Sequence, residues 1–87
     1  MQLSLEGKNA LICGSSQGIG LAIAEELALL GANCTLMARN ESRLRSAVQR
    51  LDIALRQQHG YLVADFSHPD VVKQAIENHV RKQPVHI

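Results

Sequence analysis

The sequence predicts an α/β domain built on a parallel sheet. Short apolar runs that read as strands alternate three times with segments of helical apolar period, and no linker or low-complexity stretch interrupts them. A glycine-rich turn joins the first strand directly to the first helix. Strand–helix units in series imply parallel strands joined by right-handed crossovers.

The elements follow in order. Lys8 to Cys13 is the first strand, apolar on both faces from Leu11 to Cys13. A helix from about Ile19 to Leu30 is expected to bury Ile19, Ile23, Leu27 and Leu30, with Glu25 and Glu26 facing away and Gly31 as its stop. Asn33 to Ala38 is a second strand. Asn40 caps a second helix with a stripe of Leu44, Ala47, Val48, Leu51 and Leu55. Tyr61 to Ala64 forms the third strand. Ser67 and Asp70 have the spacing of a capping box, with Pro69 tolerated in the first turn of a third helix. Val72, Ala75, Ile76 and Val80 are its expected buried side. Pro84 ends that helix, and Val85 to Ile87 read as the opening of a fourth parallel strand, so the chain is expected to stop inside a structural element.

Composition sets limits. In 87 residues one small domain fits, and with only 2% aromatic side chains its core must be Leu, Ile, Val and Ala. A net charge of +1 offers no footprint for nucleic acid or an anionic membrane. No apolar run approaches a membrane span, and the start MQLSLEGK lacks the features of a signal peptide, so a cytoplasmic location is expected. Cys13 and Cys34 are expected to be buried, reduced thiols, and His59, His68, His79 and His86 lack the spacing of metal ligands.

The stretch LICGSSQGIGLAIAEEL, Leu11 to Leu27, carries the chemistry. Gly14 permits a backbone turn, Gly18 lets a ligand approach the main chain where the helix starts, and Gly20 falls in the first helical turn. The unpaired amides there, with the partial positive charge of the helix start, suit a pyrophosphate. Ser15 and Ser16 add hydroxyls on the same loop. The spacing is Gly-x-x-x-Gly-x-Gly rather than the commoner Gly-x-Gly-x-x-Gly, and a glycine cluster alone is equally a bare turn. A strand before it and a helix after it favour the binding reading.

CGSSQGIG with LAIAEELALLGA, followed by TLMARNESRL and VADFSHPD, resembles the N-terminal cofactor site of the short-chain dehydrogenase/reductases over almost the whole chain. The resemblance implies the N-terminal half of an NAD(P)-binding Rossmann-type fold. It makes Gly14, Ser15, Ser16, Gln17, Gly18, Ile19 and Gly20 candidate residues for the dinucleotide. By the sheet order of the family, the first strand lies between the second strand and a fourth, and the full-length protein is expected to be a homo-oligomer.

The choice of nucleotide is read at the end of the second strand. An NAD site places Asp or Glu there to accept from the ribose 2′-hydroxyl. This chain has Ala38 and then Arg39, whose guanidinium would bind a 2′-phosphate and stack on adenine. With Asn40 and Ser16 as candidates to complete the pocket, the expected cofactor is NADP(H), with NAD(H) the less favoured alternative. The bland alternative makes Arg39 one more helix-solvating arginine beside Arg43, Arg45, Arg50 and Arg56. Two departures from the family pattern are Gln17, where NADP-preferring relatives often carry a basic residue, and Cys13, where Thr is usual. By the resemblance, Asp65 accepts from the adenine amino group and Phe66 meets the ring with its backbone.

The family reduces carbonyls with a tyrosine made acidic by a lysine four residues later, and a serine on the substrate. Tyr61 is the only tyrosine, and four residues on stands Asp65, a carboxylate that works against ionisation of a phenol. The 87 residues are therefore expected to bind the adenosine half of NADP(H) and, alone, to be inactive. They would be the cofactor-binding part of a carbonyl reductase or alcohol dehydrogenase, closest in look to the 3-oxoacyl-acyl carrier protein reductase type. The substrate would be a small carbonyl or alcohol. Two alternatives stay open: a stand-alone nucleotide-binding module or pseudoenzyme, and a Rossmann methyltransferase, against which Ala38–Arg39 argues.

Overall fold

The computed structural model describes residues 4–14, 18–51, 53–54 and 56–87. Its elements run β1 (Asn9–Cys13), α1 (Gly18–Leu29), β2 (Asn33–Ala38), α2 (Glu41–Gln49), β3 (Gly60–Val63) and α3 (Pro69–Lys82). The three strands form one parallel sheet in the order β1-β2-β3. Central β2 lies between two partners, and Cys34 to Ala38 are all buried, as a short apolar run bounded by Gly31 and Asn40 should be.

In a strand, successive side chains point to opposite faces. Ile12, Leu36 and Tyr61 lie in register across the sheet. Their face also carries Ala10, Cys34 and Ala38, and it packs with Leu21, Ala24 and Ala28 of α1 and Leu44 and Ala47 of α2. The opposite face carries Leu11, Thr35 and Gly60, again in register. There α3 leaves a cleft of about 550 Å³ lined by Thr35, Gly60, Leu62, His79 and Lys82.

Several expectations change. α1 turns Leu21, Ala24 and Ala28 inward, whereas Ile19 is 81% and Ile23 48% exposed. Only Glu25 and Glu26 are charged within α1, so periodicity hardly singles out a face, and the alanines let the helix lie close to the sheet. Glu25 is half-buried and pairs with Arg50 at 3.3 Å instead of facing away. α2 ends at Gln49, two residues before Leu51, which is nevertheless buried; Leu55 lies outside the described residues. On α3, Val72, Ala75 and Ile76 are half-buried and Val80 is exposed, because the polar cleft keeps the helix from closing on the sheet. Leu11 and Ile12 are half-buried, since β1 is at the end of the strand order; Cys13, emerging at its C-terminal tip, is exposed.

Helix ends show their causes. Asn40 Oδ1 accepts from the Arg43 N–H at 3.0 Å, the expected cap of α2. α1 closes with Gly31 at φ +104°, the Ala32 N–H donating to Leu27 O and the Gly31 N–H to Ala28 O. α3 starts at Pro69, but its cap position is His68, with no side-chain cap bond. Ser67 does not form the expected capping box, because its hydroxyl is donated to Asp65 at 2.7 Å.

The tail reaches the free flank of β1. The Ile87 N–H donates to Asn9 O at 3.2 Å and the Leu11 N–H to Ile87 O at 3.2 Å, the alternation of a parallel bridge. The tail thus pairs with β1 on the flank where the sequence predicts a fourth strand, although residues 84–87 are not a strand of the three-stranded sheet. Asn9 clasps it: Nδ2 donates to Pro84 O, Oδ1 accepts from Gln83 and Asn33, and the backbone N–H donates to His86 Nδ1. His59 is likewise half-buried and structural, its Nδ1 accepting from the Cys34 N–H at 3.0 Å. No described helix is long and apolar enough to cross a membrane.

The two thiols differ in a way that can be measured. Burial pushes the Cys34 thiol from the ordinary 9.0 up to about 11. Above pH 9 the unfolded chain loses a proton that the folded chain keeps, so stability falls as pH rises from 9 to 11, by at most roughly 2–3 kcal/mol. A thiol reagent at neutral pH should modify exposed Cys13 quickly and Cys34 only on unfolding; chemical denaturation at pH 8 and pH 11 checks the sign.

Candidate functional site

All three parallel strands end on the same side, and the hydrogen bonds between them continue past those ends. The Gly14 N–H donates to Met37 O at 2.7 Å, and the Ala64 N–H donates to Ala38 O at 2.9 Å. Gly14, Arg39 and Asp65 therefore stand in a row along the carboxyl edge of the sheet, where open α/β sheets bind their ligands.

At the β1 end of this row, Gly14 has φ +68° and Gly18 φ +66°, left-handed values that favour glycine. A Cβ built on either meets nothing within 4 Å, so the space above both backbones is open. Gly18 is the first residue of α1, and no acidic residue stands in that first turn to compete for its amides. Ile19 is exposed and Gly20 half-buried. Ser15, Ser16 and Gln17 lie outside the described residues.

At the centre of the row, Arg39 is exposed. Other arginines of the region are committed elsewhere: Arg45 to Glu41 at 2.7 Å and Arg50 to Glu25 at 3.3 Å. Asn40 spends its Oδ1 on the α2 cap, accepting also from the Ser42 hydroxyl at 2.9 Å, so it serves the helix first.

At the β3 end, Asp65 Oδ1 accepts from the Ser67 N–H at 2.9 Å and from its hydroxyl at 2.7 Å. The Ser67 hydroxyl, and after it the Ser67 N–H, lower the Asp65 carboxyl below the ordinary carboxylate value; His68 and Arg39 add their charges in the same direction. Phe66 is 45% exposed beside it. Sequence reasoning missed Ser67, because its spacing to Asp70 also fits a helix cap. Tyr61 faces the α2 side, where its hydroxyl meets Arg45, raising the pKa of that guanidinium.

An open cradle over two left-handed glycines, amides at a helix start, a cation and an acceptor thus share one edge, a set of groups that could hold a dinucleotide. Among the described residues no group of three His, Cys, Asp or Glu side chains converges to hold a metal ion.

Comparison with known proteins shows the family. The sequence model of the short chain dehydrogenase family matches residues 8–86. The fold superposes with a TM-score of 0.81 on L-sorbose reductase from Gluconobacter frateurii, solved with NADPH and L-sorbose, at 38% identity over 97% of this chain and 32% of that one. A 3-oxoacyl-(acyl-carrier-protein) reductase from Agrobacterium tumefaciens, solved with NADP bound, gives 0.82 at 36% identity over 94% of this chain and 31% of that one. A curated relative, the inactive hydroxysteroid dehydrogenase-like protein 1 of Pongo abelii, is 41% identical over 61 residues, 70% of this chain and 18% of that protein. The matched part of this chain covers 9–29% of the length of eight curated relatives.

Gly18→Val tests the cradle. A β-branched side chain at φ +66° is strained by about 1–2 kcal/mol or more, and its carbons enter the space where phosphates would lie. The expected outcome is a modest fall in the urea midpoint together with loss of dinucleotide binding in calorimetry. Binding near the parent affinity would put the phosphates elsewhere.

Proposed function

Because this chain belongs to the short-chain dehydrogenase family, we propose that its residues form the part of an oxidoreductase that holds the adenosine half of NADP(H). The observation that carries this reading is the row of Gly14, Arg39 and Asp65 along one sheet edge, with a cation and no carboxylate directly after β2. Gly14, Gly18, Gly20 and Ile19 would meet the pyrophosphate, and Ser15, Ser16 and Gln17 are assigned to it by the sequence resemblance. Arg39 takes the 2′-phosphate, assisted by Asn40; Asp65 and the Phe66 backbone take the adenine. When bound, the cofactor gives or accepts a hydride at its nicotinamide.

The division of labour follows from what is present. Tyr61 has Asp65 four residues on, where the family's acid–base pair needs a lysine, and it packs toward Arg45 rather than along the carboxyl edge. These residues bind and orient; they do not move a proton to a substrate. The oxidoreductase they serve would act on a small carbonyl or alcohol, the class to which sorbose belongs. Its resemblance to the 3-oxoacyl-acyl carrier protein reductase type makes an acyl-thioester ketone the specific candidate. The methyltransferase alternative falls with the family assignment. A second reading, a nucleotide-binding pseudoenzyme, is favoured by one observation: a relative 41% identical over 61 residues bears the name of an inactive protein.

Titration with NADPH and NADH separates the cofactors. NADPH should bind more tightly, and Arg39→Asp should erase or reverse the preference. Losing one charge-assisted phosphate contact costs about 1.5–3 kcal/mol, roughly ten- to a hundredfold in affinity. Equal affinity for both before mutation would remove the role given to Arg39.

A further inference from the structure

We propose that His86 is a pH-sensitive latch: its neutral ring holds the tail against β1, and acid releases it. The latch lies on the flank of β1 away from β2, at the amino end of the sheet, and is independent of the dinucleotide reading.

The ring takes the place of a main-chain carbonyl. Ile87 bridges Ala10: its N–H donates to Asn9 O and its carbonyl accepts from the Leu11 N–H, both at 3.2 Å. In a regular parallel ladder the Asn9 N–H would then donate to the carbonyl of Val85, two residues before Ile87. It donates instead to His86 Nδ1 at 2.9 Å, and the His86 N–H donates back to Asn9 O at 2.8 Å. His86 thus closes a reciprocal pair on Asn9, one bond from its backbone and one to its ring. The other ties of the tail, Asn9 Nδ2 to Pro84 O and Gln83 Nε2 to Asn9 Oδ1, converge on the same asparagine. Loosening at Asn9 therefore reaches the end of α3, a helix that buries no residue fully.

A ring nitrogen that accepts must be bare, so in the docked tail Nδ1 carries the lone pair and Nε2 the proton. Protonation makes both nitrogens donors. The new Nδ1–H then faces the Asn9 N–H, and the bond is lost. An undocked tail takes up the proton with no bond to break. Docking is therefore fully supported above the range in which free imidazole titrates, about pH 6–7, and weakens as pH falls through it. Neighbouring charge acts in the same direction. The segment ahead of β1 carries Glu6 and Lys8, and the last turn of α3 carries His79, Arg81 and Lys82. Basic groups outnumber the carboxylate at this corner, though all but His79 are exposed and screened by salt. The competing account is that the main-chain bonds alone hold the tail and the ring is a bystander.

The test follows amide exchange of the 87-residue chain by NMR at about pH 7.5 and about pH 5, expressed as protection relative to the unfolded rate at each pH. Protection of Asn9 and Leu11, whose N–H groups bond to the tail, should fall about two- to tenfold in acid, the effect of losing one hydrogen bond. Gly14, whose N–H donates to Met37 O at the far end of β1, should keep its protection. His59 accepts from the Cys34 N–H in the same manner, so global stability would mix two rings and the readout must be local. His86→Asn puts a non-titrating amide oxygen close to the place of Nδ1 and should hold the tail at both pH values. His86→Phe, with no acceptor, should show the low protection at both. Equal native protection of Asn9 and Leu11 at the two pH values overturns the proposal, as does a His86→Asn chain that loses protection in acid as the native chain does. A fall at Gly14 as large as that at Asn9 overturns it as global unfolding. No protection at Leu11 at the higher pH also overturns it, because the tail would then not be docked.

Discussion

The site depends on the parallel ladder running in register to the ends of its strands and one step beyond. The bonds from Gly14 to Met37 and from Ala64 to Ala38 bring residues from three separate strand–helix units onto one edge. The three units meet there through Gly14, Arg39 and Asp65, which lie 25 and 26 residues apart in sequence. Parallel pairing alone makes the strands finish together, and the crossover helices must then all start from that edge. Helix starts supply amides, and strand ends supply the side chains that follow them. A slip in register between β1 and β2 would break the Gly14 bond and turn the side chains of β1 to the wrong face.

What was legible in the sequence followed from local chemistry. Asn40 caps α2 because an amide oxygen before a helix has few better partners than the amides ahead of it. Gly31 ends α1 because the closing turn needs a left-handed residue. Gly14 and Gly18 have the positive φ values implied by a tight loop feeding a helix. What was not legible depended on competition between neighbours. α1 is apolar nearly all round, so only contact with the sheet selects Ala24 and Ala28 over Ile19 and Ile23. Ser67 matched two local patterns, and the aspartate behind it won over the helix ahead. Cys13 is apolar in composition yet exposed, because its place at the end of a strand matters more than its type.

The two faces of the sheet are held by different forces. The α1–α2 face is sealed by aliphatic contacts, with Cys34, Leu36, Leu44, Ala24 and Ala28 fully buried. Stabilisation there scales with apolar area removed from water, about 25 cal/mol per Å². The α3 face has a polar strand position at Thr35 and a bare one at Gly60, and α3 buries no residue fully. The segment that follows it is tied to the sheet by hydrogen bonds of Gln83, Pro84 and His86 with Asn9. Each such bond contributes only about 0.5–1.5 kcal/mol net.

This asymmetry bears on the nucleotide site. Gly14, Gly18 and Arg39 are attached to β1, α1 and β2, elements of the well-packed layer, so the end of the edge proposed for the phosphates rests on the firmer part of the molecule. Asp65 stands at the junction between β3 and the loosely packed α3, where opening costs less. A carboxylate on such a junction holds a fixed direction only if something local fixes it. The two Ser67 bonds to one oxygen do so without help from the core, since both partners lie on the same turn. The glycine end of the edge therefore draws on the packing of α1 and α2, whereas the direction of the Asp65 carboxylate is set by a turn that organises itself.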